Sequence, residues 1–277
     1  MKTRVPRALT LPAILFLVAT NSLAWGASLF PDKNLEAAVR ADLKLEPKEE
    51  LNDEKLLNLY FLEAPGKDIK DLTGLEKCKN LALINLHKNQ IADLKALKEL
   101  VNVQSLDLSN NAIKDLGPLA GLKGLQYLEL TGNKVENLEP LKALVNLTSL
   151  YLTDNAIKDL APLAPLVKLA SLSVGKNQLK DVKVLEKITK LGVLDLSDNQ
   201  IADVAPIAKQ TELRILMIQR NLIKELGTLV EAAKADAAGA KRYAPYLRIY
   251  LDGNPLSERA RKTQVGALKG LGARIEG

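Results

Sequence analysis

Two acidic residues, Asp107 and Glu129, and two tyrosines, Tyr127 and Tyr151, are spaced so that stacked repeats would place them side by side. Asp107 and Glu129 are 22 residues apart, and Tyr127 and Tyr151 fall beside them in the same pattern. If repeats of this length stack as neighbouring strands, the two carboxylates lie about 5 Å apart at their backbones. They repel each other unless a cation or a basic partner lies near. Two carboxylates without further ligands rarely hold calcium, so protein binding is favoured over a metal site.

The chain has one histidine, His87, and one cysteine, Cys78. This inventory excludes a disulfide framework and multi-cysteine zinc or iron–sulfur sites within the chain. The sequence contains no Gly-rich phosphate loop, no nucleophile elbow and no metal-ligand spacing, so we predict neither a cofactor nor an enzymatic activity. His87 is interpreted as a free surface histidine at a strand end, and Cys78 as a small buried core residue.

Asparagine recurs every 22 residues, and this period predicts the architecture. The series is Asn89, Asn111, Asn133, Asn155, Asn177, Asn199 and Asn221, which Asn254 rejoins after 33 residues. Segments aligned on it share the template L-x-x-L-x-L-x-x-N-x-I-x-D-L-x-P-L-x-x-L-x-x, matched almost throughout by residues 147–168. Leucine supplies 56 of 277 residues and aromatic residues only 4%, as expected of many small equivalent layers.

The template predicts one short strand in each repeat. In L-x-L the leucines point inward and the residues between them point outward, and successive strands stack in parallel. The asparagine amide both donates and accepts, so it can satisfy backbone groups in the turn after the strand. The second half is too short for a long helix and is predicted to form 3₁₀ or irregular turns. A recurrent aspartate is interpreted as a turn cap, at Asp93, Asp115, Asp159, Asp181 and Asp203.

Both ends of the repeat array depart from the template. We predict a helical N-terminal cap over residues 27–58, with Asp32 as N-cap. The repeats span 59–256: a degenerate first repeat at 59–80, in which Lys67 replaces the asparagine; regular repeats at 81–234; and a longer last repeat. Its eleven extra residues predict a helix within 232–244, after which Tyr246, Ile249 and Leu251 regain the register. Residues 257–277 form the C-terminal cap, with Ser257 capping a helix over 258–270.

The first 26 residues are predicted to be a cleaved signal peptide. A basic start precedes an apolar stretch of about twelve residues, and small residues allow cleavage after Ala24 or Gly26. An uncleaved anchor is the alternative. The basic start also supplies half of the net charge of +6, so the charge is poor evidence for a nucleic-acid partner. No other stretch is long and apolar enough to span a membrane. The mature protein is therefore predicted to be secreted or periplasmic.

A Phe-Pro-Asp segment at residues 30–32, followed by 22-residue repeats, resembles the internalin type of bacterial leucine-rich repeat protein over residues 29–231. The resemblance implies a single right-handed solenoid with a parallel concave sheet, a 3₁₀ or irregular convex side and helical caps. It also implies an exported interaction module without catalysis. Internalins commonly continue into an immunoglobulin-like domain and an anchor. We find neither here, so their specific partners are not carried over.

The concave sheet is the predicted binding surface, because its outward side chains form a regular array on a rigid support. We predict a monomer that binds a protein ligand through residues on several strands: Tyr127, Tyr151, Asp107, Glu129, Asp195, Met217 and Tyr250. The alternatives are binding of a glycan or envelope polymer, by the tyrosines or by rows of exposed lysines, and a structural or inhibitory role in the envelope. The ordinary variation of a solvated sheet face is the competing interpretation of the same residues.

Overall fold

A computed structural model describes residues 29–242 and 246–276. The predicted signal peptide and its cleavage sites lie outside these residues. Ten short parallel strands form one sheet in chain order, so every strand pairs with its sequence neighbours. They are β1 (Phe61–Glu63), β2 (Leu83–Asn85), β3 (Ser105–Asp107), β4 (Tyr127–Glu129), β5 (Ser149–Tyr151), β6 (Ser171–Ser173), β7 (Val193–Asp195), β8 (Ile215–Met217), β9 (Arg248–Tyr250) and β10 (Arg274–Glu276). This is the predicted leucine-rich repeat solenoid.

The alternation within each strand determines what the sheet buries and what it presents. In β5, Leu150 is fully buried while its neighbours Ser149 and Tyr151 are partly exposed. The central leucines of successive strands are Cα partners, so they stack into one continuous core column. One repeat cannot bury these leucines alone, whereas the stack encloses them on both sides.

The convex side consists of short 3₁₀ segments, as the template predicted. They are Leu75–Lys77, Lys95–Leu97, Gly117–Gly121, Glu139–Ala143, Ala161–Leu163, Lys183–Glu186 and Ala205–Lys209. Aspartates cap five of these segments: Oδ1 of Asp159 accepts the N–H of Ala161 at 2.8 Å. Asn137 takes the same position before Glu139–Ala143. The equivalent bonds of Asp93, Asp115, Asp181 and Asp203 confirm the prediction that this column caps turns.

The periodic asparagines join each repeat to the one before it. Nδ2 of Asn155 donates to the carbonyl of Leu152 at 3.1 Å and to that of Leu130, in the preceding repeat, at 3.0 Å. Its Oδ1 accepts the N–H of Val135 at 2.9 Å. The first repeat has Lys67 in this position, and its turn is served by Asn89 of the next repeat, whose Oδ1 accepts the N–H of Lys67 at 3.0 Å.

The residue before each of these asparagines adopts a left-handed conformation. Its φ is +56° at Asp154 and +69° at Gly132, and the other members of the column are Lys88, Asn110, Lys176, Asp198, Arg220 and Gly253. At Gly132 a Cβ atom would come within 2.7 Å of Oδ1 of Asn110. Asn, Asp and Gly tolerate this conformation best and fill five of the eight positions, a compositional signal that sequence reasoning overlooked.

Helix α1 (Lys33–Asp42) covers the open edge of β1. Asp32 is its N-cap, and the buried Leu35 and Val39 face the stack. Oδ2 of Asp42 accepts the N–H of Glu63 at 2.8 Å, which satisfies a donor at the edge of the sheet. A second short helix, α2 (Asp53–Leu56), follows before the first strand.

The C-terminal end differs from the prediction in where its helix begins and in which residue regains the buried register. Helix α3 (Gly227–Ala238) begins before the predicted segment, because Leu229, Val230 and Ala233 pack on the core and override the poor helix propensity of its glycine start. The buried position just before β9 is taken by Leu247. Tyr246, predicted to regain the register there, is instead 58% exposed. Its ring lies 4.7 Å below the Arg214 guanidinium.

The closing helix runs as predicted, but a tenth strand follows it. Residues 258–270 are helical, with a π-helical segment before α4 (Val265–Gly270), and Oγ of Ser257 accepts the N–H of Ala260 at 3.0 Å. β10 then pairs with β9 and extends the sheet. Within the ranges that the structure describes, no helix has the length and apolar character needed to cross a membrane.

Candidate functional site

The seven predicted binding residues lie on one face of the sheet in two groups. Asp107, Glu129 and Tyr151 are successive partners in one row across β3, β4 and β5, and Tyr127 lies in the next row on β4. Asp195, Met217 and Tyr250 continue the first row across β7, β8 and β9. Ser173 of β6 separates the two groups.

We refer to Asp107, Glu129, Tyr127 and Tyr151 as the aromatic–acidic cluster. The rings of the two tyrosines are 5.5 Å apart at their centroids and inclined at 47°, a favourable tilted contact. All four side chains are partly exposed. Each carboxylate also caps the turn after its own strand: Oδ1 of Asp107 accepts the N–H of Ser109 at 2.9 Å, and Oε1 of Glu129 accepts that of Thr131 at 2.8 Å.

The electrostatics of the cluster favour positive charge. Partial burial raises the pKa of Glu129, and the charge of Asp107 adds to this, although hydrogen bonds from Thr131 oppose the shift. Burial likewise raises the pKa of the Tyr127 phenol to about 12, with further contributions from the charges of Glu129 and Asp107. Two carboxylates therefore act on one partly desolvated aromatic surface, where an added cation would be stabilised.

In the second group, Asp195 is held by a chain of hydroxyl groups that sequence reasoning missed. Oγ of Ser173 lies 2.7 Å from the hydroxyl of Thr153 and donates to Oδ2 of Asp195 at 3.0 Å. Oδ1 of Asp195 accepts the hydroxyl of Ser197 at 2.6 Å. Gly175 leaves room for this arrangement, because a Cβ atom there would lie 2.9 Å from Oδ2 of Asp195. The Asp195 carboxylate is therefore largely engaged within the protein.

The C-terminal end of the concave face combines apolar and basic residues. Val193 and Ile215 are neighbours in the row behind Met217, and each is partly exposed. Arg248 and Arg274 are partners on β9 and β10 and are both exposed. Arg274 could not be placed from the sequence, since β10 lacks both the leucines and the asparagine of the template.

His87 differs from the prediction, whereas Cys78 agrees with it. His87 is not free: its Nδ1 lies 2.9 Å from Oδ1 of Asn85 and 3.9 Å from Oδ2 of Asp107, because the strand end brings all three together. Cys78 is fully buried, as predicted, and burial raises the pKa of its thiol to about 12. Among the residues described, no group of three or more His, Cys, Asp or Glu side chains could hold a metal ion.

Comparisons with known proteins agree with this architecture. A family profile described as Leucine Rich repeats (2 copies) matches residues 101–143 and 145–187, and one described as Leucine Rich repeat matches 187–205. No curated protein matches the chain significantly. Leucine-rich repeat proteins are in general protein-binding modules, and the repeat fold is typically a non-enzymatic scaffold.

Solved structures of bacterial and plant proteins have the same fold. Internalin C2 from Listeria monocytogenes is 30% identical with a TM-score of 0.72, and the alignment covers 83% of this chain and 95% of that one. A leucine-rich repeat protein of Leptospira interrogans is 19% identical with a TM-score of 0.65, covering 81% and 62%. The ectodomain of the receptor kinase GASSHO1/SCHENGEN3 from Arabidopsis thaliana is 21% identical with a TM-score of 0.60, covering 74% and 28%. On the strength of the internalin match, the chain belongs to the internalin-like family of bacterial leucine-rich repeat proteins.

Proposed function

We propose that the chain is an exported, non-enzymatic protein that binds a protein partner through the concave face of its solenoid. The observation that carries this proposal is the contact between Tyr127 and Tyr151, whose rings are partly exposed yet packed against each other. Tyrosines held in this way supply contact area at a low cost in side-chain entropy.

The rigidity of the support favours the same surface. Asn133 and Asn155 follow the strands that carry the tyrosines, and the amide of each bonds to the preceding repeat. Backbone held on both sides changes little when a partner binds, so less free energy is lost on ordering it. Asp195, Met217 and Tyr250 extend the proposed contact surface toward the C-terminal end.

Export is proposed from the sequence of residues 1–26, with a secreted or periplasmic location for a monomeric mature chain. No nucleic-acid partner is proposed, because half of the net positive charge lies in the segment that would be removed.

The test is a pull-down from the native extracellular or envelope environment with residues 27–277. A variant combining Y127A, Y151A and D107N is expected to lose the partner while retaining the far-ultraviolet spectrum of the folded stack. The matched control replaces three exposed convex lysines, Lys114, Lys158 and Lys180, with alanine and is expected to retain it.

The remaining outcomes separate the alternatives. Loss of the partner only in the lysine variant would contradict concave binding and favour an anionic polymer. Binding to a glycan array that requires the tyrosines and resists salt would replace the protein partner with a sugar. A partner retained by both variants would overturn the concave proposal and favour a structural role through another surface.

A further inference from the structure

The aromatic–acidic cluster carries an uncompensated negative charge. Asp107 and Glu129 are Cα partners on adjacent strands, about 4.8 Å apart, where like charges destabilise a sheet. Within the described part of the chain, neither carboxylate has a lysine or arginine nitrogen within 4.0 Å. Nδ1 of His87 lies 3.9 Å from Oδ2 of Asp107.

The fold does not need this charge. The structural task of Asp107 is to accept the N–H and hydroxyl of Ser109, and both bonds use Oδ1. One strand earlier, Asn85 accepts the N–H of His87 in the same position with a neutral amide, at 3.3 Å. An uncharged side chain therefore makes the same turn, and the negative charge of Asp107 is left without a role in the stack.

The aromatic half of the cluster adds a second feature that favours a cation. Tyr151 is the direct partner of Glu129, and Tyr127 precedes Glu129 by two residues on the same face of β4. The raised pKa of Tyr127 follows from burial and from the charges of Glu129 and Asp107, so the ring lies within their field. Tyrosine faces attract lysine and arginine, and the attraction strengthens when the site is partly desolvated.

We propose that the aromatic–acidic cluster receives a lysine or arginine side chain from a basic segment of the protein partner, packed on the tyrosine rings and paired with both carboxylates. This inference rests on the proposed concave function and specifies the charge of the partner. A protein cation fits better than a metal ion, because two carboxylates provide too few ligands for calcium, whereas a guanidinium or ammonium group also gains from the two rings.

The experiment measures calorimetric binding of a capped hexa-arginine peptide, with capped hexaglutamate as the opposite-charge probe. The double variant D107N/E129Q removes both charges and keeps an oxygen for each turn bond. It is expected to bind hexa-arginine at least about tenfold more weakly than the wild type, as loss of a charge pair predicts. The control E136Q/E139Q removes two exposed charges outside the concave face, and its affinity is expected to stay within about twofold.

Three results would overturn the inference: equal affinity of the wild type and D107N/E129Q for hexa-arginine, an equal loss in E136Q/E139Q, or hexaglutamate binding as tight as hexa-arginine. Absence of measurable hexa-arginine binding counts as equal affinity. The pull-down separates this failure from that of the proposed function. If Y127A/Y151A loses the native partner and D107N/E129Q retains it, the concave function stands. The inference that the partner binds through a basic segment is then contradicted.

Discussion

Asp32 and Lys70 lie 38 residues apart in the chain, and Oδ2 of the Asp32 carboxylate accepts the N–H of Lys70 at 2.8 Å. The same oxygen accepts the N–H of Asp71 at 3.2 Å, while Oδ1 caps α1 through the N–H groups of Asn34 and Leu35. One carboxylate therefore starts the first helix and also fastens it to the first repeat.

Replacing Asp32 tests both roles separately. D32A removes the cap and the link to the first repeat, and is expected to destabilise the protein by about 2 kcal/mol, roughly half from each role. D32N keeps an oxygen that caps α1 equally well, but its amide N–H₂ would face the N–H groups of Lys70 and Asp71. It is expected to lose about 1 kcal/mol. Urea unfolding followed by circular dichroism measures both.

The stability that the Asp32 carboxylate contributes is expected to decrease in acid. Partial burial opposes ionisation of Asp32, yet the backbone N–H groups, led by that of Lys70, hold its pKa below the usual range. A lowered folded-state pKa adds stability above the unfolded-state pKa, and this stability is lost as the pH falls through the folded-state value. The difference between wild type and D32N is therefore expected to shrink below about pH 4. A constant difference down to pH 2 would contradict this role.

The asparagine series predicts a large loss of stability from one buried amide. Nδ2 of Asn177 donates to Leu152 and Val174 at 3.0 Å each, and its Oδ1 accepts the N–H of Ile157 at 2.9 Å. N177A leaves these groups unpaired and is expected to cost about 2–4 kcal/mol. Asn137 supplies the control: it is exposed and accepts one bond, from Glu139, so N137A is expected to cost about 1 kcal/mol or less.

Thermal and urea unfolding measure the loss of stability in N177A and N137A. Equal losses for N177A and N137A would mean that the buried amide contributes no more than a turn cap. A further readout is the shape of the transition. Because each repeat contacts only its neighbours, a defect in the middle of the stack is expected to broaden the transition as well as shift it.

The periodic part of the fold was predictable because one physical rule repeats along it. Leu150 lies inward and Tyr151 outward for the same reason as Leu128 and Glu129, and a fixed period carries that reasoning from repeat to repeat. The ends follow no period. β10 has a single apolar residue, Ile275, between two charged ones, and it joins the sheet because the closing helix delivers it beside β9.

The candidate site was predictable only as far as the direction of its side chains. Alternation identified Asp195 as outward-facing, yet the hydroxyl chain that engages it depends on rotamers and on the absence of a side chain at Gly175. In the same way, spacing places His87 at a strand end but does not reveal that Asn85 turns back to meet it. Such contacts are set by side-chain reach within 3 Å, which periodicity does not specify.

Glu129 is expected to reduce stability at neutral pH. Burial and the charge of Asp107 raise its pKa, so the folded chain holds the proton more tightly than the unfolded chain. Stability therefore declines as the pH rises from the unfolded-state to the folded-state pKa of Glu129. E129Q is expected to melt at a higher temperature than the wild type near pH 7, with the gap closing below about pH 4. E139Q is the control, because Glu139 is exposed on the convex side. A gap that persists unchanged in acid would exclude a charge effect.

The Tyr127 phenol reports directly on the field of the two carboxylates. Its pKa is raised to about 12, first by burial and then by the charges of Glu129 and Asp107, whereas an ordinary tyrosine ionises near about 10. D107N/E129Q removes the charge contribution and leaves burial, so the pKa is expected to fall but to stay above the ordinary value. Tyrosinate absorbance titrations, with Y127F in each background subtracted to isolate this residue, measure the shift over the pH range in which circular dichroism shows a folded chain. An unchanged titration in D107N/E129Q would mean that the carboxylates do not act on the ring, and a cation placed there would then gain nothing from them.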